Sequence, residues 1–119
     1  MKKIITSIGH AAHGIAIVWK SQRNFKIHSV FVICLVGALL VFNVTYIETA
    51  LIVLAMAIVL TAEMINTAIE ETWDELEPQH HPVVLRVKDT MAGAVLLSAI
   101  GAGVVGILVF AHHFFPFSL

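Results

Sequence analysis

Acidic residues recur at helical spacing where a long apolar stretch of the chain gives way to polar residues. Glu63, Glu70 and Asp74 share one side of a helix that advances about 100° per residue, and Asn66 and Glu77 fall within the same stripe, about 80° wide. A carboxyl group in apolar surroundings can act as a general base, and a second one a turn or two away can hold Mg²⁺. The stripe therefore predicts acid–base chemistry beside a metal-bound group.

Glu63 is the acidic residue set deepest among apolar neighbours. It follows about 16 residues of apolar chain, which places it roughly 24 Å along a helix, within or at the edge of a hydrocarbon core about 30 Å thick. An ionisable side chain at membrane depth marks a functional site by default. We therefore expect Glu63 to be catalytic.

Two basic residues follow the acidic stripe and lie at the same predicted level. Arg86 and Lys88 could contact phosphate oxygens. A base, a metal ligand and a phosphate-binding cation together indicate phosphoryl transfer, here to a hydroxyl group at the bilayer surface. The sequence contains neither a G-x-x-x-x-G-K-[ST] loop nor a kinase G-x-G-x-x-G loop, so a nucleotide site must be built without them.

The composition indicates a membrane protein. Of 119 residues, 59% are hydrophobic and 13% are charged, against about 25% charged in soluble domains, and the mean hydropathy is +0.93. The length predicts a single domain over 1–119. The net charge of −1 gives no indication of nucleic-acid binding, and the single cysteine, Cys34, excludes an internal disulfide.

The elements that must position these residues are four helices in an all-α integral membrane fold. Residues 1–26 carry apolar side chains at helical spacing between lysines and histidines, which favours an amphipathic helix in the membrane interface over a cytosolic helix packed on the others. Apolar segments at 28–44, 47–70 and 91–111 are predicted to cross the bilayer.

The distribution of basic residues sets the predicted orientation. All seven lysines and arginines precede the first span or lie between the second and the third. Basic residues favour the cytoplasmic side, so the N-terminus and the 71–90 loop are predicted to be cytoplasmic and the C-terminus to lie outside. In the third span, Ala99/Gly103 and Ala102/Gly106 are small-residue pairs that allow helices to approach closely, which favours an oligomer.

The motif over Glu63–Glu70 (E-M-I-N-T-A-I-E), followed by Asp74, Lys88-Asp89 and an A-G-A-V run from Ala92, resembles the signature of the prokaryotic diacylglycerol kinase family. The resemblance covers nearly the whole chain. It implies a homotrimeric, multi-pass kinase of the bacterial inner membrane that uses ATP and Mg²⁺ to phosphorylate a lipid alcohol. The N-F-K-I-H stretch is similar to the undecaprenol kinase branch, so undecaprenol is favoured over diacylglycerol as the substrate.

The resemblance also implies roles for individual residues. Glu63 matches the general base, and Glu70 matches a metal ligand. The positions matching lipid contacts are Glu63, Asn66, Asn24, Phe25 and Ala92. The positions matching nucleotide contacts are Lys3, His10, Gln22, Glu70, Gln79, His80, His81, Lys88 and Asp89.

Gln22 departs from the family pattern, which has a glutamate there as the second metal ligand. An amide oxygen can coordinate Mg²⁺ but lacks the charge of a carboxylate, so weaker metal binding and a slower reaction are expected. Three interpretations stay open: a tolerated change in an active enzyme, a paralogue that binds lipid or nucleotide without turnover, or a deliberate inactivating substitution.

Seven histidines also raise the hypothesis of a metal transporter. The adjacent pairs His80/His81 and His112/His113 fall on opposite sides of the membrane in the predicted orientation. No histidine or acidic residue interrupts the third span to form a path between them. Phosphoryl transfer is therefore favoured over metal transport as the function.

Overall fold

A computed structural model describes residues 1–77 and 81–115. It contains four helices, α1 (Lys2–Ser21), α2 (Arg23–Val41), α3 (Tyr46–Leu76) and α4 (Pro82–Phe114), which confirms the predicted all-α class. In this described part of the chain, α2, α3 and α4 are long and apolar enough to cross a membrane.

Local signals explain where α3 and α4 begin. The Thr45 hydroxyl accepts from the backbone N–H of Glu48, and the Glu48 carboxylate accepts from the backbone N–H of Thr45, so the two residues form a capping box at the start of α3. Pro82 occupies the first turn of α4, where its missing N–H costs no helical hydrogen bond. His81 caps the same end, because its Nδ1 accepts from the backbone N–H of Val83.

The helix boundaries differ from the predicted segments in several places. Helix α4 begins at Pro82 and α3 continues to Leu76, so most of the predicted 71–90 loop is helical. A break at Gln22, in extended backbone geometry, ends α1 before the predicted limit at residue 26, so the N-F-K-I-H stretch lies on α2. Helix α2 ends at Val41, within the predicted 28–44 span. Helix α3 ends at Leu76, so Glu77 leaves the helical stripe in which the spacing placed it.

The interior of the bundle lies where α3 packs against both α4 and α2. Ile52 and Met56 of α3 and Val109 of α4 form the buried cluster. Partly buried side chains of α2, α4 and the connection between α2 and α3 pack around it, namely Val32, Leu35, Leu39, Val44, Val105 and Phe110. Helix α1 packs against α2 and α3, and the Lys26 ammonium of α2 donates to the Lys20 carbonyl oxygen of α1.

Most apolar side chains on the three long helices face outward, as expected for helices surrounded by lipid or by other subunits. Within the most apolar 18-residue stretch of each helix, buried residues make up 6% in α2, 28% in α3 and 11% in α4. Helix α3 is therefore the central helix of the chain, and it carries the acidic residues.

Candidate active site

Glu63 lies in the interior of the helical bundle. The buried residues of α3 follow one stripe, Ile52, Met56, Val59, Glu63 and Thr67, with the spacing of a single helix face. The carboxylate thus takes a core position, and Glu63 as a whole is only 3% exposed. Thr67, the next residue of the stripe, is also buried, and its hydroxyl donates to the Glu63 carbonyl oxygen at 2.9 Å.

His28 of α2 faces this buried carboxylate. Its Nε2 atom lies 3.2 Å from Glu63 Oε1, within ion-pair distance. The two atoms are not aligned as a hydrogen bond, so Oε1 is a buried oxygen without a hydrogen-bond partner among the described residues. The imidazole is the ionisable group that the described residues place beside this buried oxygen.

His28 is part of the N-F-K-I-H stretch but is not among the site residues predicted from the sequence. Helical spacing could have indicated it, because His28 lies three residues after Phe25, a predicted site residue, and therefore one turn further along the same face of α2. Phe25 is 4% exposed and anchors that face in the bundle. Its ring also meets Trp19 of α1 edge-on, with centroids 6.5 Å apart, across the break at Gln22.

An apolar groove extends along the bundle from His28. It has a volume of about 480 Å³ and is lined by side chains of α2, α3 and α4. Its α4 wall includes the four residues of the small-residue pairs, and Phe110 also lines it. The dimensions and lining suit a hydrocarbon chain whose polar end would lie beside His28 and Glu63. The other lining residues are Phe31, Val32, Leu35, Met56, Val59, Leu60 and Ile107.

The acidic stripe continues from Glu63 toward the end of α3. Glu70 is half-buried, seven residues or about 10 Å further along the helix axis. Asp74, one turn beyond Glu70, forms an ion pair with Lys88 of α4. The structure therefore brings the predicted phosphate-binding cation onto the acidic face of α3.

The remaining predicted site residues occupy more open positions. Gln22 and Asn66 are half-buried. His81 is exposed at the start of α4, with Nδ1 engaged by the Val83 N–H, while Gln79 and His80 lie outside the described residues. The predicted residues Lys3, His10, Asn24, Asp89 and Ala92 are exposed.

The donor chemistry at the acidic end is compatible with Mg²⁺. Within residues 1–77 and 81–115, no three His, Cys, Asp or Glu side chains are grouped to enclose a metal ion. Magnesium is commonly held by one or two carboxylates together with substrate phosphates and water. A half-buried carboxylate such as that of Glu70 is a ligand type that fits this mode of binding.

Comparison with known proteins identifies the family. The prokaryotic diacylglycerol kinase family matches residues 9–110, which is most of the chain and includes the groove, Glu63, Glu70 and Lys88. The chain belongs to this family. It is a multi-pass membrane protein and a lipid kinase, an enzyme that transfers a phosphoryl group from a nucleotide donor to a lipid.

Relatives named as lipid kinases match the chain over most of its length. The undecaprenol kinase of Bacillus subtilis is 31% identical over 110 residues, which are 92% of this chain and 89% of that protein. A diacylglycerol kinase of Synechocystis is 34% identical over 104 residues, 87% of this chain and 59% of that protein. A diacylglycerol kinase of Escherichia coli is 27% identical over 112 residues, 94% of this chain and 92% of that protein.

Proposed function

We propose that this lipid kinase phosphorylates undecaprenol at the cytoplasmic face of the bacterial inner membrane, using ATP and Mg²⁺. The observation that carries the proposal is the position of Glu63. It is a buried carboxylate beside one end of an apolar groove, on the helix face that continues to Glu70, Asp74 and the Lys88 ion pair. His28 lines the groove and lies beside Glu63, so a lipid hydroxyl bound at that end would lie next to these two residues, and phosphates would approach from the polar end.

The choice of undecaprenol rests on the N-F-K-I-H stretch and on the match to the undecaprenol kinase of Bacillus subtilis. The groove that begins at His28 offers aliphatic, aromatic and small apolar side chains, which suit a long hydrocarbon chain. Diacylglycerol is the second candidate, because several relatives that match most of this chain are diacylglycerol kinases.

The proposed reaction is an in-line transfer in which Glu63 is the general base. Its carboxylate accepts the proton of the lipid hydroxyl as the lipid oxygen bonds to the γ-phosphorus. The bond from that phosphorus to the β,γ-bridging oxygen breaks, and the electron pair leaves with ADP. Lys88 then stabilises negative charge on the transferred group and its phosphate neighbours.

Glu70 and Gln22 would hold Mg²⁺ together with the nucleotide phosphates. The ion supplies neutralisation of phosphate charge when it is bound. Glu70 contributes a full negative charge, whereas the Gln22 amide contributes only an oxygen dipole. This difference favours an enzyme with weaker metal binding than the family pattern implies.

The remaining site assignments follow the family resemblance and are proposed as nucleotide or lipid contacts. The proposed nucleotide contacts, besides the two metal ligands, are Lys3, His10, Gln79, His80, His81, Lys88 and Asp89. The proposed lipid contacts beside Glu63 are Asn24, Phe25, Asn66 and Ala92. Among these, Phe25 is buried and packs one turn from His28.

We also propose a single membrane domain that assembles as a homotrimer. In this arrangement α1 lies in the membrane interface, and the C-terminus lies outside. The N-terminus and residues 71–90, which include the end of α3 and the start of α4, face the cytoplasm. The distribution of the seven basic residues supports this orientation. The many outward-facing apolar side chains support assembly with other subunits.

The test is transfer of labelled phosphate from ATP by the purified protein in mixed micelles. Undecaprenol and diacylglycerol are supplied in separate reactions over a Mg²⁺ titration, with Gln22→Glu run beside the unmodified chain. Faster product formation with undecaprenol is expected. Activity only in Gln22→Glu would indicate a kinase scaffold inactivated at its metal ligand, and no product in either protein would favour a binding paralogue.

A further inference from the structure

The buried position of Glu63 creates a problem for turnover. After each proposed transfer the carboxylate holds a proton from the lipid hydroxyl, and this proton must leave before the next cycle. The Glu63 side chain is 4% exposed, so it has almost no direct contact with solvent. A neighbouring group that can accept and release a proton is therefore needed.

His28 has the chemistry and the position for this role. Its Nε2 lies 3.2 Å from Glu63 Oε1, and its side chain is 26% exposed, so one ring spans the buried carboxylate and the accessible groove. Histidine exchanges protons readily near neutral pH. Glu63 is also the acidic residue that lies within ion-pair distance of His28 in the described part of the chain.

The location of His28 along α2 makes the exit path short. His28 is five residues after Arg23, the first residue of α2, which corresponds to about 8 Å along the helix axis. That end of α2 carries Arg23 and Lys26 and follows α1, so it is the polar end of the helix. A proton on the imidazole is thus close to the surface from which the proposed nucleotide approaches.

We infer that His28 is a positioning residue and proton relay for Glu63, carrying each abstracted proton from the buried base to water. This inference rests on the proposed function. The protonated Glu63 carboxyl gives its proton to Nε2 of a neutral His28, which becomes an imidazolium. The imidazolium then releases a proton to water, so Glu63 and His28 both return to their starting states and no other reactant is required.

The experiment is pre-steady-state phosphate transfer by full-length protein in undecaprenol micelles, with unmodified protein, His28→Ala and His28→Asn. Because the relay acts after the first transfer, both variants should form about one product per chain quickly and then turn over at least ten-fold more slowly, with the KM for ATP unchanged. Added imidazole should accelerate the slow phase of His28→Ala, where it can occupy the space left by the ring. Asparagine keeps a polar side chain but cannot carry the proton.

A neighbouring variant controls for general disturbance of α2. Ser29→Ala removes a hydroxyl that donates to the Phe25 carbonyl at 2.8 Å, on the same turn as His28, and should leave both phases unchanged. Steady turnover of His28→Asn at the unmodified rate, or equal slowing of the first and later turnovers without rescue by imidazole, would overturn the inference. If the unmodified protein phosphorylates neither lipid, the proposed function fails first and the inference fails with it.

Discussion

Lys88 of α4 forms an ion pair with Asp74 of α3, one turn beyond Glu70 on the same helix face. The pair joins the polar ends of the two helices that pack most extensively in the bundle. It also orients the cation that we propose acts on the phosphates. Asp74 is therefore expected to act on the proposed chemistry indirectly, by orienting Lys88.

Replacing Asp74 by asparagine should reduce kcat/KM for ATP about two- to five-fold without unfolding the protein. The pair is partly solvent-exposed, and exposed pairs contribute about 0.2–1 kcal/mol. Lys88→Met should cost far more, about a hundred-fold in kcat, because it removes the charge itself. Steady-state kinetics over an ATP titration measure both effects. Equal losses in the two variants would contradict a supporting role for Asp74.

Restoring a carboxylate at the break between α1 and α2 should strengthen metal binding. In Gln22→Glu, the Mg²⁺ concentration giving half-maximal activity should fall several-fold, because a charged oxygen replaces a neutral one. Ser21→Glu adds the same charge one residue earlier, at an exposed position, and should leave the Mg²⁺ dependence unchanged. An equal shift in both variants would indicate a general charge effect rather than a ligand at position 22.

Filling the apolar groove should weaken lipid use selectively. Gly103 lines the groove, and a Cβ atom there would meet nothing within 4 Å, so a larger side chain has room to extend into the cavity. Gly103→Leu should raise the KM for undecaprenol several-fold and leave the KM for ATP unchanged. Gly101→Leu, on an exposed face of α4 outside the groove, is the matched control. Size-exclusion chromatography of both variants checks that assembly is preserved, and an unchanged lipid KM would argue against the groove as the lipid site.

The capping box at the start of α3 predicts a stability effect without a catalytic one. Thr45→Ala removes the side-chain acceptor for the Glu48 backbone N–H and should destabilise the protein by about 1 kcal/mol. Thr61→Ala, in the middle of the same helix, should have little effect. Thermal unfolding in one detergent, with kinase activity measured in parallel, separates the two. A loss of activity in Thr45→Ala at temperatures where it is folded would count against a purely structural cap.

The sequence was sufficient to predict features that follow from local periodicity. The four helices follow from helical spacing and are present in the structure, and three of them are long and apolar enough to cross a membrane. Glu63, Glu70 and Asp74 all lie on the single helix α3, as the spacing requires. The break at Gln22 was missed because neither glycine nor proline marks it. The end of α3 at Leu76 was also missed, so Glu77 was placed on a helical stripe that it does not join.

Contacts between helices could not be predicted in the same way. The approach of His28 to Glu63 depends on how α2 crosses α3, and helical spacing within one segment does not determine that crossing. The buried Phe25 contributes by fixing the rotation of α2, but its burial became evident only in the folded chain. The groove likewise forms only when α2, α3 and α4 have packed together, because side chains of all three helices line it.

The central claim is that Glu63 is the base, and Glu63→Gln tests it most directly. Phosphate transfer to undecaprenol is measured for this variant and for Glu71→Gln, an exposed glutamate of α3, with binding of ATP followed in parallel. Our account predicts a loss of at least about a hundred-fold in Glu63→Gln with ATP binding retained, and no loss in Glu71→Gln. Phosphorylation by Glu63→Gln at more than half the unmodified rate would contradict it.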